Sequence, residues 1–343
     1  MRRWLGVLAV LGSAGVARAQ DLPPAAPTPV PECRRVSEAA FLRIDPQAAA
    51  RLAEIGLDRR AVFERMAETS IPETMGCWAM PVGDFDGQLV SVGMSQWNYG
   101  TGSLQPVLRA WKKGVGRFGR ARKALAPVYG KLLFSRDCLA VPVRDKCRRG
   151  IRAAHGADGK LNATMLAELT AIFESDAMLQ VQTDAYVALL MEVRGDLLRV
   201  FAGQPITMRK VRWAIDTKVQ QGFFLADADL ARLRGKLAAM PESERWDRLR
   251  AVFDWYEALG RSVDQDGVAR DWAWNVAQWR CMIDKGRIDP EQYEMLHLTF
   301  LRSRTAVGNS GRWQALTFSR RGKIVLGIGS VSGKRDGDCL GVG

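Results

Sequence analysis

Three- and four-residue spacing of apolar positions runs through most of this chain, and residues 84–104, DFDGQLVSVGMSQWNYGTGSL, break it. Asp84, Asp86 and Gly87 are turn formers, and 89–97 places small residues between apolar ones, which reads as a strand or tight hairpin. An aromatic–amide cluster, Trp97-Asn98-Tyr99, and Gly100-Thr101-Gly102 close the stretch. On either side the pattern is helical. Residues 46–68 carry Leu52, Ile55, Leu57, Val62, Phe63 and Met66, with Asp45 as N-cap and Pro72 expected to end the helix. Helices are predicted again at 104–123, at 162–201 with a break near Asp176, and at 207–221, 227–239, 243–259, 267–285 and 290–305. Asn162, Thr207 and Ser243 serve as caps. The tail, 312–332, alternates apolar and polar residues around glycines and predicts a second small hairpin. The fold class is therefore mainly α with a short β-hairpin. No internal repeat supports a solenoid.

The ends and the cysteines bear on location. Arg2 and Arg3 precede an apolar run, 4–16, and Ala17-Arg18-Ala19 has the small-x-small form of a cleavage site, so residues 1–19 read as a signal peptide. That run is shorter than the roughly 18–20 residues a membrane span needs, so no span is expected after cleavage. Residues 20–32, QDLPPAAPTPVPE, form a Pro/Ala-rich tether, and 33–343 form the folded domain. The expected location is exported, periplasmic or secreted. Cys33, Cys77, Cys138, Cys147, Cys281 and Cys339 are an even set in such a chain and predict disulfides, with Cys138 to Cys147 the one local pairing. Their spacing lacks the CxxC pairs of a zinc site and the chain has two histidines, so neither metal nor other cofactor is expected.

The chain has 50 basic and 37 acidic residues. Removing Arg2, Arg3 and Arg18 leaves 47 against 37, a surplus of ten that favours anionic partners. Export makes an envelope polyanion the expected partner rather than nucleic acid. The basic clusters at 112–123 and 144–152 read either as solvated helix faces or as a grip on that envelope.

Metal-free glycoside hydrolysis uses two carboxyl groups, one to protonate the leaving oxygen and one to activate water or attack carbon. Glu64, Glu68 and Glu73 lie around the end of the 46–68 helix, and Asp84 and Asp86 lie on the turn. Met66 and Ile71 flank Glu68 and could desolvate it. Glu73 follows Pro72 and is expected on a loop. Each acid has a plainer reading as a solvated helix-end residue or a turn former. A Ser-His-Asp triad would have to use His155 or His297, neither of which sits beside a nucleophile motif, and no phosphate-loop string occurs.

Residues 86–102, DGQLVSVGMSQWNYGTG, resemble the hairpin of chitosanases of the lysozyme superfamily: Asp-Gly, a hydroxyl residue five positions on, then Gly-Thr-Gly. Ala67-Glu68-Thr69-Ser70 matches the Ala-Glu that precedes the family's Asp by eighteen positions. The stretch is similar also to secreted or phage-type peptidoglycan-hydrolase-like proteins with a GNFDGQ…LQWN.G.G.LQP.L pattern, through 83–88, Gln96-Trp97-Asn98, Gly100, Gly102, Leu104-Gln105-Pro106 and Leu108. Leu89 and Val90 depart from it. Weaker similarities fall on QVQTDAY, 180–186, and AIDTKVQQGFF, 214–224.

The resemblance implies a lysozyme-like two-lobed fold, with Glu68 as general acid (Glu73 as the alternative), Asp86 as base and Ser91 positioning water. Asp84, standing where the pattern has Asn, is left as a turn residue. Gln96, Trp97, Asn98 and Thr101 are the expected substrate-binding set. The implied activity is a glycoside hydrolase cleaving a β-1,4-linked amino-sugar polymer, peptidoglycan first. The alternatives are a chitosanase, a lytic transglycosylase and a non-catalytic cell-wall-binding protein.

Overall fold

The structure is a computed structural model, and it describes residues 32–38, 42–84, 87–222, 225–263, 271–306, 310–331 and 333–341. The expected leader and most of the tether, together with Asp86, lie outside these residues. Residues 33–343 form one compact unit. It is mainly helical, with a short antiparallel hairpin at the position where the periodicity breaks.

The first helical region is two helices, α1 (Pro46–Ala53) and α2 (Arg59–Thr74). They divide because Gly56 takes a positive φ of 79° and Asp58 restarts the helix, its side chain accepting from the Ala61 N–H at 2.7 Å. Asp45 caps α1 in the same way through Ala48. Pro72 does not end α2 but lies inside its last turn. Proline removes only one N–H there, and the turn is closed by left-handed Met75, whose N–H donates to Ile71, and by Thr74 Oγ1 donating to Ser70 and Cys77 carbonyls. Glu73 is consequently helical, not on a loop.

From α2 the chain passes through Cys77, disulfide-bonded to Cys33, into the hairpin β1 (Ser91–Val92) and β2 (Trp97–Asn98). Ser91 pairs with Asn98 on one side and Val82 on the other, so residues 82, 91 and 98 lie in register. Helices α3 (Leu104–Gly114), α4 (Phe118–Leu125), α5 (Gly130–Leu133), α6 (Asp145–Arg152) and α7 (Ala163–Phe173) follow. The long α8 (Asp176–Val200) is separated from α7 by the break expected near Asp176. Then come α9 (Met208–Gln221), α10 (Asp227–Ala238), α11 (Glu242–Val263), α12 (Trp272–Asp284) and α13 (Pro290–Ser303). Asn162 and Thr207 cap α7 and α9, whereas Ser243 lies inside α11.

The tail departs from expectation. Most of 312–332 is a sixteen-residue helix, α14 (Gly311–Leu326), and the hairpin follows it as β3 (Gly329–Val331) and β4 (Lys334–Asp336). Helical periodicity was masked because α14 buries polar residues, Thr317, Ser319 and Arg321, among its apolar ones. Gly322 permits the close packing: a Cβ there would stand 2.5 Å from the Trp279 ring.

Two hydrophobic cores result. One gathers α1, α2, α8, α9 and α11–α14 around Trp213, Tyr256, Trp279 and Phe318, with Tyr256 and Trp279 stacked at 5.4 Å. The other gathers the hairpin and α3–α7 around Val92, Tyr99, Trp111, Phe134 and Phe173. Helix α8 serves both, giving Met178 to the second and Leu179, Tyr186 and Leu190 to the first, and Trp97 packs against each.

All six cysteines are paired: Cys33–Cys77, the expected local Cys138–Cys147, and Cys281–Cys339. No helix among the described residues is long and apolar enough to cross a membrane. Loop-closure entropy scales with the enclosed length, so replacing Cys281 and Cys339 together by serine should cost about 4 kcal/mol, against about 2.5 kcal/mol for the Cys138–Cys147 pair. Urea midpoints of the two double variants measure the difference.

Candidate active site

The hairpin is held by its own side chains. Asp84 Oδ1 accepts from the Leu89 N–H at 2.7 Å, bridging the turn, while its Oδ2 lies 3.9 Å from Arg152. Asp84 therefore closes the loop that carries Asp86. Gln96 donates from Nε2 to the Met80 carbonyl at 3.1 Å. Asn98 Oδ1 accepts from both the N–H and the hydroxyl of Thr101, each at 2.8 Å. Ser91 is buried in the middle register position, and Trp97 is half-buried between the cores. Of the expected substrate-binding set, Gln96 and Asn98 spend these polar atoms on the rim, and Thr101 is exposed.

Backbone strain gathers here. Met75, Met80, Leu89 and Gln96 all have positive φ, between 47° and 69°, an unfavourable region for side chains with a Cβ. Gly93, at φ 89°, is required for a further reason: a Cβ would stand 2.7 Å from the Trp97 ring. The hairpin is tied to α8 by Gln182, whose Oε1 accepts from the Met94 N–H at 3.0 Å and whose Nε2 donates to the Phe173 carbonyl at 2.9 Å. That residue belongs to the 180–186 stretch singled out in the sequence.

The two candidate acids on α2 have different surroundings. Glu68 is partly exposed, and both its oxygens are taken: Oε2 by Arg65 at 2.8 Å and Oε1 by Arg212 of α9. Beside it Thr69 shares a 2.9 Å hydrogen bond with the Tyr186 phenol, whose pKa burial pushes well up, with the Glu68 charge adding to the rise. Glu73, less exposed, is gripped through Oε1 by Arg320 Nη1 at 3.2 Å, and its Oε2 bonds to nothing among the described residues.

Arg320 leads into a buried ionic lattice. It donates from Nε to Asp216 Oδ2 at 2.9 Å, and Arg321 donates from Nε to Asp216 Oδ1 at 3.0 Å. Arg321 also reaches Gln221 at 2.6 Å and Gln220 at 3.1 Å. Burial opposes the Arg320 charge, yet the carboxylates of Asp216 and Glu73 outweigh it and the guanidinium is held up. For Arg321 burial wins, only partly offset by Asp216. Arg302, buried nearby, is lowered to about 10 by burial and by the Arg321 charge. Asp216, Gln220 and Gln221 are the Asp and Gln-Gln of the 214–224 stretch. Arg320 and Arg321 fall in a tail whose apolar–polar alternation points to a strand pair, and the signal for the helix that carries them is the spacing of Ala315, Phe318, Gly322 and Val325.

The structure thus brings Glu73 to Arg320 and through it to Asp216, and Glu68 to Arg65 and Arg212, while Gln96, Asn98 and Thr101 form the hairpin rim and Ser91 is buried between Asn98 and Val82. Asp86 lies outside the described residues. Two concavities, of about 490 and 620 Å³, are found elsewhere, against α10, α11 and α13 and on the outer face of α2. No cluster of His, Cys, Asp and Glu among the described residues has metal-binding geometry. No family model, curated protein or solved structure matches the chain.

Removing the Asp216 charge leaves the buried Arg321 guanidinium without a carboxylate and Arg320 with Glu73 alone. Asp216→Asn should destabilise the protein by about 3–5 kcal/mol, read from urea unfolding. A loss under about 1 kcal/mol would show that the lattice is relaxed by water.

Proposed function

We propose that the protein is an exported, lysozyme-like glycoside hydrolase that cuts a β-1,4-linked amino-sugar polymer, peptidoglycan, by general acid–base catalysis. Asp86 is the base in this reading and Glu73 the acid. The observation that carries the assignment is the contrast between the two α2 carboxylates. A general acid must hold a proton on one oxygen and present it to the leaving group. Glu68 has both oxygens in ion pairs and must break one of them to hold a proton, whereas Glu73 is ion-paired through one oxygen only. Glu73 is oriented through one oxygen by Arg320, which Asp216 fixes in turn, and its other oxygen is open.

In the reaction, the Glu73 proton passes to the glycosidic oxygen as the bond to the sugar carbon breaks. Asp86 takes a proton from water as that water's oxygen bonds to the carbon, and Ser91, five residues on, helps hold the water. One water is added for each bond cut. Such a water fits between carboxyl groups roughly 6.5–9.5 Å apart. Glu68, between Arg65 and Arg212, is a charged flank of the acid rather than the acid itself. The strained rim and its tie to α8 supply the rigidity that positioning requires.

Export supports peptidoglycan over chitosan as the polymer. Three disulfides, and the absence of a spanning helix among the described residues, are compatible with it.

Purified protein acting on isolated sacculi should release muropeptides that carry one added water by mass spectrometry. Anhydro products would mean a lytic transglycosylase, faster cutting of chitosan a chitosanase, and binding without products a wall-binding protein. Asp86→Asn and Glu73→Gln should each lower turnover at least about a hundredfold, and Glu68→Gln less than about tenfold. Lysis that survived both of the first two changes would sink the mechanism. An inactive Glu68→Gln beside an active Glu73→Gln would return the acid role to Glu68.

A further inference from the structure

The positive charge of this chain is concentrated in one segment. Residues 104–153 hold fourteen Lys and Arg against two acids, Asp137 and Asp145, whereas the remainder holds thirty-six against thirty-five. This segment builds α3 to α6 of the second core. Twelve of the fourteen cations are exposed and the other two, Arg122 and Arg148, are half-buried. Only Arg144 and Arg152 have a carboxylate within 4 Å among the described residues, Asp137 and Asp84 respectively. Glu168, the acid that α7 brings against this region, neutralises none of them: its two oxygens accept the backbone N–H groups of Val128 and Tyr129 at 2.7 Å each.

We propose that this basic helical face is a docking surface for an anionic, phosphate-bearing lipid bilayer. Charge complementarity calls for a polyanion, and the other side chains of the segment select among polyanions. Single-stranded nucleic acids and glycans are gripped by stacking on exposed aromatic faces. Here Trp111 and Phe134 are buried, and Phe118 packs edge-on against both at 5.9 and 5.1 Å. What the segment exposes instead is aliphatic: Val128 at 62% and Val141 at 57%, both on connecting loops. Lysine and arginine around a few exposed aliphatic side chains is the chemistry of a peripheral membrane face, where each cation near an anionic leaflet adds attraction and the apolar groups enter the headgroup boundary. The face is rigid as well as charged. Cys138–Cys147 pins α6, and Arg109 ties α3 to the Leu139 carbonyl at 2.6 Å. The Glu73 lattice lies on other elements, α2, α9 and α14, while the hairpin borders this face, with Arg152 beside Asp84 and Val141 against Gly102.

The test is sedimentation with vesicles, using the chain from Gln20 onward, which keeps the whole compact unit and lacks the apolar leader. Vesicles of phosphatidylcholine with about one-third phosphatidylglycerol should bind the protein at low salt and release it near 0.5 M salt, and pure phosphatidylcholine should not bind it. Changing Lys113, Arg117, Arg120 and Lys123 together to Gln should weaken binding on the order of several hundredfold. A second set on α6, Lys146→Gln with Arg149→Gln, should weaken it more than tenfold, and Val128→Ser with Val141→Ser several-fold. Equal binding to neutral vesicles, unchanged binding of the two charge variants, or tighter binding to lipid-free sacculi or to DNA would overturn the proposal. Glycan turnover is not the readout, so failure here leaves the hydrolase reading standing.

Discussion

Everything around the acid-bearing helix depends on one buried carboxylate. Asp216 accepts from two consecutive arginines of α14, one through each oxygen, and so joins α9 to α14 and, through Arg320, to the last turn of α2. A guanidinium as enclosed as that of Arg321 is tolerated only when its donors are matched, and Asp216, Gln220 and Gln221 match them. The lattice is better understood as a device for orientation than as a source of stability, since desolvation offsets much of the Coulombic gain. Its consequence is that Glu73 is held by a group that cannot itself turn.

A second constraint is the sharing of α8 between the two cores. A two-stranded hairpin of this length is not stable alone, and here it is mounted on a helix that already belongs to both halves. Gln182 makes the mount by hydrogen-bonding the hairpin at Met94 and the end of α7 at Phe173. Against that support the strained residues Met80, Leu89 and Gln96 are held in conformations they would otherwise leave. The charge distribution then separates two surfaces of different chemistry: a near-neutral body with a buried ionic lattice, and a strongly basic outer face on α3 to α6.

Much of this was legible along the chain. The hairpin at 84–104 declared itself by breaking period, the helix starts at Asp45, Asn162 and Thr207 by their capping side chains, and Cys138–Cys147 by proximity. The failures have a common cause. Pro72 signals a stop only if the helix has further to run, and α14 hides its period because the polar residues that would mark a solvent face are buried and paired. The role of Asp84 as a turn bond was readable from the habit of Asp to bond nearby backbone in turns. The partners of Asp216 were not, since they lie more than a hundred residues away.

By itself, therefore, the sequence determined the helical class, the site of the hairpin and the concentration of positive charge in one segment, because periodicity, turn chemistry and net charge are local properties. Only the tertiary structure decided which carboxylates are engaged and by what. Glu68 and Glu73 lie five residues apart on one helix, and the one local difference, Arg65 three residues before Glu68, engages a single oxygen and does not by itself separate a carboxylate with both oxygens ion-paired from one held by a single oxygen. That difference is set by Arg212 and Arg320, which reach α2 from α9 and α14.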